Sequence, residues 1–234
     1  MHWSCVRTFA SKRAKLKRFM RDKMYSSELL QRAIEALASL PGIGQRTAFR
    51  LALHLLNQPP SYTEEIATAL LEFRQKIHRC AHCHHISDDE ICAICRDPQR
   101  DSGTICVVES IRDVFSIEST RSYRGLYHVL GGVISPINDV GPEDLYIEDL
   151  VKRVEDHQVR EVILALSATI EGDTTMQYLA RLLRPHVERI SFISRGVAFG
   201  GELEYADEWT IAQAIRFRRP IEDFALTPRA EDEE

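Results

Sequence analysis

Four cysteines carry the clearest chemistry in this 234-residue chain: Cys80-x-x-Cys83, then eight residues, then Cys92-x-x-Cys95. A Cys-x-x-Cys turn presents two thiolates from one tight knuckle. Two such knuckles supply the four soft ligands of a tetrahedral zinc ion. The residues between them, His84 to Ile91, suffice for a short hairpin that returns the second knuckle to the first. With cysteine at all four positions no coordination site is left for water, so the expected metal is structural, one Zn2+ per chain. Redox-active pairs or an iron–sulfur site are the alternative uses of the same residues. His82, His84 and His85 are expected as solvent-exposed knuckle residues, because the tetrahedron is already full.

A second constellation is Leu40-Pro41-Gly42-Ile43-Gly44, lying between two helical patterns. Two glycines around one apolar residue allow a tight turn whose backbone N–H groups point outward beside a helix N-terminus, which suits a phosphate oxygen. This resembles the helix-hairpin-helix motif, which grips the nucleic-acid backbone without reading sequence. Arg46 and Arg50 follow one helical turn apart on one face. DNA contact is therefore expected at Gly42, Gly44, Arg46 and Arg50. An ordinary helical turn with surface arginines is the plainer alternative.

A third constellation is acidic. Glu109 ends an apolar run and Asp113 follows four residues later, while Glu171-Gly172-Asp173 follows a second apolar run. Carboxylates converging at strand ends can hold Mg2+; alternatively they are helix N-terminal acids that complement the dipole. The pattern looks like a Toprim domain, with Glu-x-Asp where catalytic relatives use Asp-x-Asp. Mg2+ is thus compatible with the chain but not required by it.

The elements that must position these residues are partly legible. Leu29, Leu30, Ala33, Ile34, Leu37 and Ala38 repeat at helical spacing, as do Ala48, Leu51, Ala52, Leu55 and Leu56. Pro59-Pro60 stops that second helix, and a third, through Ile66, Leu70, Phe73 and Ile77, leads into the cysteines. After Pro98, short apolar runs at 104–108, 159–166 and 189–193 alternate with helical stretches at 111–117 and 176–183. This alternation predicts an α/β unit with a parallel sheet. A final helix is expected near 208–216.

Composition is that of a globular protein, 44% hydrophobic and 28% charged. No apolar run approaches the roughly 20 residues of a spanning helix, so no membrane association is expected. The first 24 residues hold no apolar signal core, and thiols kept for metal suggest a cytoplasmic setting. The net charge of −5 is uneven: Arg7, Lys12, Arg13, Lys15, Lys17, Arg18, Arg21 and Lys23 crowd the head, while Glu231, Asp232, Glu233 and Glu234 close the tail. The head is expected to be disordered or to reflect an early start assignment, with a DNA-contacting arm or a transit-type segment as alternatives. The tail is expected to be disordered.

The order of these parts closely resembles the RecR family of bacterial recombination mediators. Agreement extends to Tyr127-His128-Val129-Leu130-Gly131-Gly132-Val133-Ile134-Ser135-Pro136, Gly141-Pro142-Glu143-Asp144-Leu145 and Gly200-Gly201-Glu202-Leu203-Glu204-Tyr205-Ala206-Asp207, and spans about Tyr25 to Asp223. The resemblance implies an α+β multidomain chain: a basic extension (1–24), a helix-hairpin-helix domain (25–78), a four-cysteine zinc motif (79–98), a Toprim domain (103–198) and a C-terminal strand/helix segment with the acidic tail (199–234). It also implies a non-catalytic role in DNA repair, acting with RecO and RecF to load RecA recombinase onto single-stranded DNA. Ring-like homo-oligomers, dimers or tetramers, are implied as well. Family DNA contacts fall on Arg46 and Arg50, and the Toprim acids Glu109, Asp113, Glu171 and Asp173 are tied more to partner binding than to cleavage. Leu203 to Asp207 looks like the acidic strand of a nucleotide site or, alternatively, a strand that swaps onto a neighbouring subunit. No GxxxxGK[ST] loop occurs, so ATP hydrolysis is not expected. The competing reading is a Toprim-type Mg-dependent nuclease or primase-like enzyme. A sequence-reading zinc finger is disfavoured, since Asp88, Asp89 and Glu90 would repel phosphate. The metal is expected to join the helical module to the Toprim sheet.

Overall fold

Residues 27–156, 159–194, 196–197, 200 and 202–218 are described by the computed structural model. The basic head and the acidic tail lie outside them. The chain divides into two compact units, residues 1–75 and 76–234.

In the first unit, α1 (Glu28–Ala38) starts at Ser27, whose hydroxyl accepts from the Leu30 N–H at 3.3 Å. Helix α2 (Gln45–Leu56) lays Ala48 and Ala52 against Ile34, and these three are the fully buried residues of the pair. Leu30, Leu37, Ile43 and Phe49 pack around them. Alanine on the contact face lets the two helices approach closely, so a two-helix core can close around one isoleucine. Helix α3 (Pro60–Lys76) begins on Pro60, whose missing N–H costs nothing in a first turn. It buries no residue, and Tyr62, Ile66, Leu70, Leu71 and Phe73 stay exposed.

The second unit opens with a two-residue antiparallel pair, β1 (His78–Arg79) and β2 (Ile86–Ser87), and the short helix α4 (Ala93–Arg96). A four-stranded sheet follows, built from β3 (Asp101–Val108), β4 (Gly125–Val129), β5 (Glu161–Ala165) and β6 (Arg189–Phe192) in the order β4-β3-β5-β6. Every neighbouring pair is parallel. Central β3 reads as a continuous apolar run because both its faces are covered. Ile105 and Val107 join the core under α6 (Ile147–Asp156) and α7 (Ile170–Leu183). Cys106 and Val108 join the opposite core with Val114 of α5 (Ile111–Ser119). The described chain closes with α8 (Glu208–Arg216), capped by the Asp207 carboxylate on the Thr210 N–H.

Four expectations change. Residues 125–129, to which the sequence reading gave no element, form edge strand β4, and 147–156 form a helix absent from the periodicity reading. Helix α7 begins at Ile170 rather than near Met176, so Glu171 and Asp173 sit in its first turn. Leu203–Tyr205 is a 3-10 turn rather than a strand. Its sequence leads straight into a helix cap, which leaves no extended run to pair.

Candidate metal centre and nucleic-acid interface

The sulfurs of Cys80, Cys83, Cys92 and Cys95 all lie within 4.8 Å of one another, with Cys83 and Cys92 3.6 Å apart. Four sulfurs about 2.3 Å from a central zinc stand about 3.8 Å apart, so the cluster fits that ion. Local backbone makes the two knuckles. The first closes with the His84 N–H donating to the Cys80 carbonyl at 3.0 Å, His84 itself taking a left-handed φ of 59°. The second is capped by Cys92, whose sulfur accepts from the Cys95 N–H at 3.4 Å, while the Cys92 N–H donates to the Cys80 sulfur at 3.3 Å.

The thiols alone are mutually antagonistic. Sulfur–sulfur bonding with Cys83 draws the Cys92 thiol far down, and the same contact drives Cys83 far up. Cys95 is pulled down by Cys83, but Cys92 and burial outweigh that and push it up to about 12. Cys92 is held as a thiolate while Cys83 and Cys95 resist ionisation, a conflict that a dication resolves. The four cysteines fit a structural zinc. Cys106, also buried, stands apart in β3, where burial pushes its thiol up to about 12.

His84 and His85 are not surface residues. They are 9% and 7% exposed, and only His82 meets the expectation of exposure. The His84 ring stacks on Tyr146 at 3.8 Å with an interplanar angle of 4°, and its Nε2 lies 3.1 Å from Asp149. Burial lowers its pKa first, with Asp149 opposing. His85 meets Phe115 edge to face. His128, under the knuckle, bonds the Tyr146 carbonyl through Nε2 at 2.7 Å, and burial pushes its pKa down to about 3. The knuckle therefore seats on the sheet. The Val129 N–H of edge strand β4 donates to the Cys83 carbonyl at 2.9 Å, which covers an edge that would otherwise stand open. Sequence reasoning missed Tyr146, Asp149 and Arg153 as its supports. The available signal was Ile147, Leu150 and Val154 at helical spacing, with a charged residue, Arg153, placed on that apolar stripe.

In the first unit, Gly42 takes φ +81°, a conformation that favours glycine, and the Ile43 N–H closes the turn onto the Leu40 carbonyl at 3.2 Å. Gly44 is the cap residue of α2 and provides no side chain to its first-turn N–H groups. A Cβ at either glycine would meet nothing within 4 Å. Arg46 and Arg50 are both exposed on α2.

No three of the acids bring their carboxylate oxygens within 4.8 Å of one another. Among the described residues the four cysteines are the only group of three or more ligand atoms held that close. Glu109 accepts the Ser167 N–H through Oε1. Asp113 accepts from the Ser110 N–H at 2.7 Å and its hydroxyl at 2.9 Å, capping α5. Glu171 and Asp173 sit at the N-terminus of α7, and Asp173 lines a cavity of about 610 Å³ between α7, β6 and α8. Gly172 separates them because a Cβ there would run into the Ser167 carbonyl.

A two-helix hairpin, a four-cysteine zinc motif seated on a sheet edge and a parallel Toprim sheet define a multidomain architecture of the recombination-protein class. Family models match in the same order: the RecR helix-hairpin-helix at residues 30–74, the RecR four-cysteine zinc finger domain at 77–97, the Toprim domain at 103–194 and the RecR C-terminal region at 196–219. The chain is 56% identical over 199 residues to "Recombination protein RecR" of Porphyromonas gingivalis, covering 85% of this chain and 96% of the relative. It is 53% identical over 194 residues to the protein of that name from Amoebophilus asiaticus, covering 83% and 97%. The value is 51% over 193 residues for that of Rippkaea orientalis, covering 82% and 98%. The chain belongs to the RecR recombination protein family. Among its described residues no helix is long and apolar enough to cross a membrane.

Proposed function

We propose that this protein is a DNA-binding, non-catalytic mediator of recombinational repair, which acts in the cytoplasm with RecO and RecF to help load RecA onto single-stranded DNA. The observation that carries the reading is the α1–α2 turn. Gly42 turns the chain, Gly44 leaves the first-turn N–H groups of α2 without a side-chain cap, and Arg46 and Arg50 stand exposed beside them. Backbone amides and guanidinium groups together suit a phosphate backbone and are indifferent to base identity. That no three of Glu109, Asp113, Glu171 and Asp173 converge within 4.8 Å supports partner binding over a catalytic Mg2+ site for the Toprim acids. The exposed apolar side chains of α3 support homo-oligomerisation into a dimer or a ring-like tetramer.

The test is fluorescence anisotropy with single- and double-stranded oligonucleotides across a salt series. Arg46→Ala with Arg50→Ala is expected to weaken binding to all sequences alike and to lower the slope of log affinity against log salt by about 2. Unchanged affinity and slope would remove the hairpin from the DNA interface.

A further inference from the structure

Arg153 is a buried cation without a carboxylate. It is 6% exposed, and among the described residues no Asp or Glu pairs with it. One guanidinium nitrogen donates to the Tyr127 carbonyl of β4 at 2.6 Å; another lies 3.8 Å from the Cys95 sulfur, within hydrogen-bonding reach for sulfur. A buried arginine normally meets an anion, since an unpaired charge is costly away from water. The neighbouring arginines are otherwise occupied. Arg79 is exposed and donates to the His84 carbonyl, Arg96 pairs with Asp89 at the surface, and Arg100 pairs with Glu118.

The anion is supplied by the metal centre. Four thiolates around Zn2+ carry two surplus negative charges, and Cys80, Cys83 and Cys92 are buried, so water offsets little of that charge. The geometry points to Arg153 as the counter-cation of the zinc–tetrathiolate centre, a positioning and charge-balancing residue that sets how firmly the metal is held. Its helix is tied to the knuckle twice more: Tyr146, just before α6, stacks on His84, and Asp149, one turn before Arg153, reaches the same ring. Helix α6 also contributes Leu150 and Val154 to the sheet core, so zinc charge and sheet packing meet on one helix.

The experiment follows zinc transfer from the intact protein to the chromogenic chelator 4-(2-pyridylazo)resorcinol, well below the melting temperature. It compares wild type, Arg153→Met, Arg153→Lys and Leu150→Ala, with absorption spectra of the Co2+-substituted forms. Arg153→Met is expected to release zinc about tenfold faster or more, the range found when an outer partner of a metal ligand is removed. Arg153→Lys, which keeps the charge, stays near wild type. Leu150→Ala loosens the same helix without touching the charge and releases zinc at the wild-type rate. The thiolate-to-cobalt charge-transfer band shifts in Arg153→Met alone. Wild-type release from Arg153→Met, or equally fast release from Lys and Met, overturns the proposal. If Arg153→Met fails to fold at saturating zinc while Arg153→Lys folds, the charge is required by the centre and the proposal stands. If both fail alike, it falls.

Discussion

In the first unit, two helices and a turn close around Ile34, Ala48 and Ala52, and a third helix buries nothing. In the second, a four-stranded sheet carries a core on each face, and its β4 edge is covered by the zinc knuckle. Both units turn the chain with a left-handed residue, Gly42 in one and His84 in the other, yet of the helices that follow only the knuckle's has a side-chain cap. The hairpin turn leaves its amides and arginines toward solvent. The cysteine knuckle buries His84 and His85 against Tyr146, His128 and Phe115. On the proposed DNA-binding role, the hairpin keeps its groups exposed for a polyanion and accepts a thin core. A unit whose centre is ionic must enclose that centre, and it does so with aromatic rings and a buried arginine.

This contrast can be broken by experiment. The largest effect is expected from Cys92→Ser, which leaves three thiolate ligands while the serine hydroxyl can still cap α4. Because zinc binding is coupled to folding, stability should fall by more than about 5 kcal/mol. Metal analysis and thermal melting would show zinc lost and the melting temperature lower by about 10 °C or more. Full stability without zinc would mean that the knuckle needs no metal.

Ile34→Ala comes next, at about 2–5 kcal/mol, because it empties the one large side chain at the centre of the thin core. Far-ultraviolet circular dichroism should show lost helix, with zinc content still one per chain. Loss of zinc as well would end the contrast between the units.

The smallest effect is expected from Glu118→Gln. Its carboxylate accepts from Arg100 at 3.0 and 2.5 Å and from the Tyr127 hydroxyl at 2.7 Å. The Arg100 bond, ahead of the Tyr127 bond, holds its pKa below the ordinary carboxylate value. That stabilisation is fully present above the ordinary value and is lost as pH falls through the lowered one. Denaturant melts should therefore differ by about 1–3 kcal/mol at pH 7 and converge in acid. A constant gap across pH would assign the loss to packing.

How much was legible depended on the kind of signal. Cysteine spacing, the two-glycine turn and the apolar run 104–108 are local, and each maps onto an observed knuckle, hairpin or strand. Strand β4 was hidden because Gly125-Leu126-Tyr127-His128-Val129 mixes glycine, aromatic and histidine; parallel pairing to β3 makes it a strand. The acids at 109, 113, 171 and 173 were legible as residues, but their local partners were not: Glu109 accepts from Ser167, Asp113 from Ser110, and Glu171 and Asp173 lie in the first turn of α7.

The chain's sequence alone determined that a metal would be held and by which residues. Two Cys-x-x-Cys turns fix their sulfurs through local backbone geometry, and a tetrahedron needs nothing more. Tertiary structure alone decided what that centre rests on. Burial of His84 and His85, and the approach of Arg153 to Cys95 across 58 positions of sequence, arise only when α6 packs on the sheet. Long-range contacts of that kind follow from the summed packing of both cores, and no short-range pattern encodes them.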